Sequence, residues 1–335
     1  MNVEAVLEAV EHWARMDGND WQTGLSPENV RLGQQLAAEA IQNGAFRPLP
    51  DAPRHLVIWC ASNVFTAPLE WVAQFAAAGS RITLKAPSNC PAPVFAMAEA
   101  FSSFEVQAHR APHDKALSLL EDADAVLGFG SNQAMNVLEA HLRPETARSL
   151  HGSRASLAIV EANTIEKVAE GLYLDASAYD SRGCMSPIAV FCLGDAHALK
   201  RALFDQWATQ DALPLGALSL AEQAHRSRRI GTAKMLHPSN HHAGHRDPRE
   251  IVVPVEDFES FGLPRLLPIH PIDSLDQLDF LQGGPWSSCA TNLPHEALQD
   301  FGFHRICQPG QLQRPPLNRL HDGVDVLERL CAKPT

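Results

Sequence analysis

Cys184 is the residue of this chain best placed to form a covalent intermediate. It lies in Asp180-Ser181-Arg182-Gly183-Cys184-Met185-Ser186-Pro187, a polar loop between a helix-like run and a strand-like run. A thiolate is a strong nucleophile, but an ordinary cysteine is mostly protonated at neutral pH. The loop therefore needs something to lower the thiol pKa or take its proton. Arg182, His151 or a bound cofactor could do so, and the sequence does not choose among them. Taken alone, Cys184 reads equally well as a structural cysteine of a tight loop.

Other residues could serve such a nucleophile. Asn63, in Ala61-Ser62-Asn63-Val64-Phe65-Thr66-Ala67-Pro68, directly follows a strand-like run. Its side-chain amide could donate to a developing oxyanion, or Asn63 could be a turn asparagine. Lys85 ends the run Ile82-Thr83-Leu84-Lys85, ahead of Ala86-Pro87-Ser88. An ammonium there could bind a ribose hydroxyl or a phosphate, or simply be solvated. Gly130 and Ser131 fall between a strand and a helix start, where backbone amides and the helix dipole favour an anion. This is not the full GxGxxG fingerprint. His237, His241, His242 and His245 could approach one metal, but no HExxH pattern, acidic ligand or cysteine pair accompanies them. They read as a solvated loop, and no metal is expected. His321, in His321-Asp322-Gly323, fits an acid-base group or a turn.

The elements that must position these residues alternate along the chain. Residues 3–16 and 26–43 read as amphipathic helices, and Pro48, Pro50 and Pro53 mark a linker. Strands follow at 56–59, 82–85, 105–108 and 125–129, and helices at 68–78, 93–103, 114–121 and 132–141. After Gly152 come a strand at 156–160, a helix at 164–179, the Cys184 loop and a strand at 188–193. Helices at 195–210 and 218–228, a loop at 237–249, strands near 251–254 and 265–269, and a helix at 274–282 complete the series. Such βα alternation predicts an α/β protein with parallel sheets covered on both faces.

Composition narrows the class. The chain has 335 residues, 45% hydrophobic and 20% charged, which suits a soluble protein of about two domains. Its net charge of -12 argues against nonspecific nucleic-acid binding. No apolar run reaches the roughly 18–20 residues needed to span a bilayer. The first residues lack a basic segment and an apolar core, so no signal peptide is expected. The seven cysteines are scattered without CxxC spacing, as in a reduced cytoplasmic protein.

Taken in order, these segments resemble the aldehyde dehydrogenase superfamily, and within it the LuxC-like fatty-acyl-CoA reductases. The resemblance rests on Asn63 to Pro68, Ala77-Ala78-Gly79, Leu84-Lys85-Ala86-Pro87-Ser88, Gly130-Ser131 and His151-Gly152-Ser153-Arg154-Ala155-Ser156. It also rests on Arg182-Gly183-Cys184-Met185-Ser186-Pro187, on Gln313 to Pro316 and on His321-Asp322-Gly323. It spans roughly residues 50–330.

The resemblance implies two doubly wound parallel-sheet domains with the active site between them. Residues 1–150 would comprise the N-terminal helices and an NADP(H)-binding domain. Residues 151–300 would carry the nucleophilic cysteine, and 301–335 would pack back near the active site. Cys184 would be the nucleophile, Asn63 an oxyanion donor, Lys85 and Ser88 ligands of the adenosine ribose and its 2′-phosphate, and Gly130 and Ser131 ligands of the pyrophosphate. The implied reaction is NADPH-dependent reduction of a long-chain fatty-acyl-CoA to an aldehyde through a cysteine thioester. The implied setting is a cytoplasmic homo-oligomer served by an acyl-transferring or acyl-activating partner.

Three departures shape this expectation. No acid stands near Leu150-His151, where hydrolytic relatives carry a general base, and this favours reduction over hydrolysis. Ser88 replaces a glutamate common in NAD-preferring relatives, which favours NADPH. The chain is also short for the family. An ordinary aldehyde dehydrogenase, an acyl-phosphate reductase and a non-catalytic subunit remain as alternatives on the same fold.

Overall fold

The computed structural model describes residues 2–209, 213–237 and 249–332. The chain forms two compact units. One comprises residues 1–23, 30–153 and 315–335, and the other residues 24–29 and 154–314.

Two helices, α1 (Val3–Arg15) and α2 (Pro27–Gln42), precede the first sheet. Val6, Ala9, Val10 and Trp13 recur at helical spacing and form the buried face of α1. Then follow β1 (His55–Trp59), α3 (Leu69–Ala78), β2 (Arg81–Lys85), α4 (Ala92–Ala100), β3 (Val106–His109), α5 (His113–Ala116), β4 (Ala125–Phe129), α6 (Asn132–His141) and β5 (Ala147–His151). The five strands are parallel in the order β3-β2-β1-β4-β5. The chain winds outward from β1 to β3, then returns to the other side of β1 with β4. This reversal makes the carboxyl ends of β1 and β4 a topological switch point, where open α/β sheets bind ligands.

The second unit contains β6 (Ala155–Glu161), α7 (Ile165–Ser177), β7 (Pro187–Leu193), α8 (Ala196–Thr209), α9 (Leu220–Leu236), β8 (Glu250–Val252), β9 (Leu267–Ile272), β10 (Trp286–Ala290) and β11 (Arg305–Cys307). Its six parallel strands run in the order β11-β10-β6-β7-β9-β8. Alternate residues of β6 enter two cores. Ala158 and Val160 pack with Leu172 and Ala176 of α7 and Leu199 and Leu203 of α8. Leu157 and Ile159 pack with Leu278, Leu281, Leu298 and Phe301 from two 3₁₀ segments. Both faces are covered, so β6 and β7 read as nearly continuous apolar runs. A last helix, α10 (Val326–Cys331), belongs to the first unit.

Several elements differ from the sequence reading. The helix expected at 274–282 is the 3₁₀ segment Leu275–Leu281, and the one expected at 114–121 is α5 followed by a 3₁₀ turn at Leu117–Leu120. Helix α9 continues to Leu236, eight residues past its expected end at 228. Strands β5, β10 and β11 carry no sequence signal. Ala147-Arg148-Ser149-Leu150-His151 offers one large aliphatic side chain, while β10 buries Ser287 and Ser288. Residues 301–335, read from sequence as one segment, are shared between the units: β11 pairs with β10, and α10 stands with the first sheet. Among the described residues, no helix is long and apolar enough to cross a membrane.

Candidate active site

The loop from Asp180 to Ser186 connects α7 to β7 and holds Cys184 half-buried. Asp180 and Ser181 both take left-handed backbone angles, with φ of 52° and 56°. Successive non-glycine residues in this region are unfavourable unless surrounding bonds impose them. Those bonds are present. The Asp180 carboxylate pairs with the Arg265 guanidinium and accepts from the Gly216 amide at 3.0 Å. Both members of the ion pair are fully buried. Arg265 returns its backbone N–H to the Asp180 carbonyl at 3.2 Å.

The thiol-bearing residue is itself tied down. Ser156 Oγ, on β6, donates to the Cys184 carbonyl at 2.6 Å and accepts from the Ser288 amide at 3.1 Å. Gln313 Nε2 donates to the Asp175 carbonyl at 3.0 Å and to Ser186 Oγ at 3.2 Å, joining the loop to the end of α7. The Asp175 carboxylate accepts from the Gly310 and Leu312 amides at 2.7 and 3.0 Å. Burial outweighs those amides and pushes the Asp175 carboxyl up to about 7. Arg182 is engaged elsewhere: its guanidinium donates to the Gly24 and Ala217 carbonyls at 3.0 and 2.7 Å and pairs with Glu222. It braces the loop against the start of α9. Burial raises the pKa of Cys60 to about 12, of Cys192 to about 12, and of Cys90 and Cys307 to about 11; it raises those of Cys289 and Cys331 as well. Those thiols stay protonated and unreactive.

The other candidates occupy the carboxyl edge of the first sheet. Asn63 is exposed in the loop after β1, and Ser88 is exposed just past β2. Lys85 is buried, with Nζ 4.8 Å from the centre of the Trp59 ring. Burial lowers its pKa, opposed by neighbouring Cys60. No carboxylate among the described residues pairs with this ammonium, so its hydrogen-bond donors remain for a ligand. Gly130 closes β4, and Ser131 caps α6 by accepting from the Ala134 amide at 3.2 Å. The sheet thus brings Asn63, Lys85, Ser88, Gly130 and Ser131 to one edge, while Cys184 stands on the second unit.

A polar cluster at the ends of β4 and β5 has only a partial sequence signal. His151 Nε2 meets Ser149 Oγ at 2.9 Å, and its Nδ1 faces Asp322 Oδ2 at 3.4 Å. His321 lies edge-on to His151, ring centres 4.3 Å apart. His151, His321 and Asp322 present ligand atoms within 4.8 Å of one another, a spacing that invites a metal. Arg319 argues for a different reading. Its guanidinium donates to His321 Nδ1 at 3.2 Å, which leaves the proton on Nε2, facing Asp322 at 3.8 Å. A metal on Nε2 would require that proton and Arg319 to leave. Burial, with Arg319, lowers the His321 pKa well below its usual value. His321 also occupies a turn: it exchanges backbone bonds with Val324 across Asp322 and Gly323, whose φ values are 50° and 80°. Of the histidine-rich stretch, His237 ends α9 and pairs with Asp257 at 3.5 Å; His241, His242 and His245 lie outside the described residues.

Ser156 and Arg265 support the Cys184 loop without standing out in the sequence. Neither has a local signal, since each acts from a distant strand or loop.

Residues 102–333 match the acyl-CoA reductase (LuxC) family. The long-chain acyl-protein thioester reductase of Aliivibrio fischeri is 25% identical over 239 residues, covering 65% of this chain and 49% of that protein. The chain therefore spans about half the length of that curated relative. Among solved structures, an oxidoreductase from Marinobacter aquaeolei superposes with a TM-score of 0.68 at 14% identity, over 95% of this chain and 80% of that one. An NAD-dependent aldehyde dehydrogenase from Sinorhizobium meliloti gives 0.68 at 15% identity, over 92% and 74%. These likenesses establish an aldehyde dehydrogenase-like α/β fold with two parallel sheets.

Proposed function

Since the chain belongs to the acyl-CoA reductase (LuxC) family, we propose that it reduces a long-chain fatty-acyl-CoA to the fatty aldehyde, with NADPH as reductant and Cys184 as nucleophile. The observation that carries this reading is the half-buried Cys184 on a loop fixed by Ser156, Gln313 and the Asp180–Arg265 pair. Fixing a nucleophile in one geometry reduces the entropic part of the barrier.

The Cys184 thiolate attacks the acyl carbonyl carbon, forming a C–S bond as the carbonyl electron pair moves onto oxygen. The Asn63 amide and the Cys184 backbone N–H are assigned to that oxyanion. Collapse breaks the bond to the CoA sulfur, and CoA leaves as its thiolate. The acyl group remains as a thioester on Cys184. A nicotinamide cofactor held by Lys85, Ser88, Gly130 and Ser131 would supply the hydride that reduces this thioester. When the aldehyde departs, the C–S bond breaks and its electron pair returns to Cys184.

The first unit fits such a cofactor. Lys85 is a buried cation with no carboxylate partner among the described residues, beside the switch point formed by β1 and β4. Lys85 and Ser88 would hold the adenosine ribose and its 2′-phosphate, and Gly130 and Ser131 the pyrophosphate. Strand β5 carries no carboxylate of its own, in keeping with reduction in place of hydrolysis. A second reading keeps the chemistry and changes the donor. The Aliivibrio fischeri relative is named for an acyl-protein thioester, which favours an acylated partner protein in place of CoA. The working form is assigned as a homo-oligomer.

The test follows cofactor oxidation with a panel of acyl-CoA chain lengths, using NADPH and NADH, and covalent labelling by radioactive acyl-CoA. Labelling and turnover should both vanish in Cys184→Ala. Retained turnover in that variant would sink the mechanism. Labelling from an acylated protein but not from acyl-CoA would select the second reading.

A further inference from the structure

We propose that Arg110 selects the phosphorylated form of the cofactor by binding the phosphate on its adenosine ribose. The inference rests on the dinucleotide reading of the first unit and deepens it.

Strands β2 and β3 are parallel neighbours, with Lys85 opposite His109. The Ala86 amide donates to the His109 carbonyl at 2.9 Å, so the pairing persists one residue past the strands. The segments leaving the two strands therefore run side by side. Arg110 is the first residue after β3, and its Nη2 donates to the Ser88 carbonyl at 3.4 Å. The guanidinium is thereby held over the segment that follows Lys85. Both Arg110 and Ser88 are exposed to an incoming ligand.

Two features make this a phosphate site and not a general surface charge. First, Arg110 has no carboxylate partner among the described residues, although acidic residues outnumber basic ones in the chain, 39 to 27. One of its five N–H donors is used by Ser88, and the rest of the planar fork remains available. Second, Ala86-Pro87-Ser88-Asn89-Cys90-Pro91 contains no acidic residue. A carboxylate there would accept from a free 2′-hydroxyl and repel a phosphate. In its absence the Ser88 hydroxyl and the Arg110 fork can both donate to a phosphate there, and no side-chain carboxylate of this segment opposes it.

The test is calorimetric titration of the whole chain with adenosine 2′,5′-bisphosphate and, separately, with adenosine 5′-monophosphate. The wild type should prefer the bisphosphate. Arg110→Ala should weaken the bisphosphate by about 10–100-fold, the range for losing a charge-assisted hydrogen bond. It should leave the monophosphate unchanged, which also shows that the variant is folded. Arg110→Lys should restore part of the difference, because it keeps the charge but loses the fork. Ser88→Glu should reduce the bisphosphate preference independently. Equal loss of both ligands in Arg110→Ala, or of neither, would overturn the inference. A wild type that binds both equally would overturn it while leaving the dinucleotide site standing. Binding of neither nucleotide by the wild type would remove the dinucleotide reading and Arg110's role with it.

Discussion

Asp180 shows how one side chain stabilises an improbable loop. It sits in a left-handed conformation with φ of 52°, directly before a second such residue. Its carboxylate is the counter-ion of Arg265, and both side chains are completely buried. Removing one partner of such a pair strands the other charge in a low-dielectric interior, which costs about 3–5 kcal/mol. Asp180→Asn should therefore lower the free energy of urea unfolding by about that amount. Asp180→Asn combined with Arg265→Met should lose less than Asp180→Asn alone, since no charge is left unpaired. Equal losses in the two proteins would mean that the ion pair does not hold the loop. The motif around Cys184 displays Asp180 openly, but its partner lies 85 residues further along the chain. No local pattern connects them.

At the scale of elements, the join after β5 illustrates a glycine required by contact. A Cβ on Gly152 would lie 2.1 Å from Asn132 Oδ1. That oxygen accepts from the Ser153 amide at 2.9 Å and so ties the start of α6 to the chain leaving β5. Gly152→Ala must push Asn132 aside and break this bond, at a cost of about 1 kcal/mol. Asn132→Ala should lose a similar amount, and the double variant little more than either single one. Strict additivity of the three unfolding free energies would refute this account. The strands next to the join explain why part of the fold was hidden. β1, β4, β6 and β7 are buried on both faces and announce themselves as apolar runs. β5 lies at the sheet edge and β10 is stitched in through serines, so neither needs the hydrophobicity by which strands are recognised.

For the whole molecule, two buried carboxyls set an expected pH dependence. Burial pushes Asp175 up to about 7 and Glu250 up to about 8, Glu250 being opposed by Lys200. In the unfolded chain both would titrate near 4. Between pH 4 and their folded values the native state binds more protons than the unfolded state. Stability must therefore fall as pH rises through that window. The contribution is fully present below about pH 4 and lost above about pH 8. Acid release from other carboxylates acts in the opposite sense at low pH, so the clearest reading is comparative. Melting temperatures measured from pH 5 to 8 should decline less steeply in Glu250→Gln than in the wild type. Parallel profiles would exclude Glu250 from this role.

The α/β class, most of the central strands and the family can be read along the chain before any contact is known. Apolar runs, βα alternation and the ordered motifs around Asn63, Lys85, Gly130 and Cys184 are local, and local patterns survive in one dimension. Tertiary structure decided what surrounds those motifs. It set Ser156 against the Cys184 carbonyl, Arg265 against Asp180 and Arg110 beside Ser88. It also gathered His151, Asp322 and His321 into one partly buried cluster. Each of these depends on which strands become neighbours. Strand neighbours are chosen by packing over the whole sheet, so residues far apart in sequence meet only once the sheet exists.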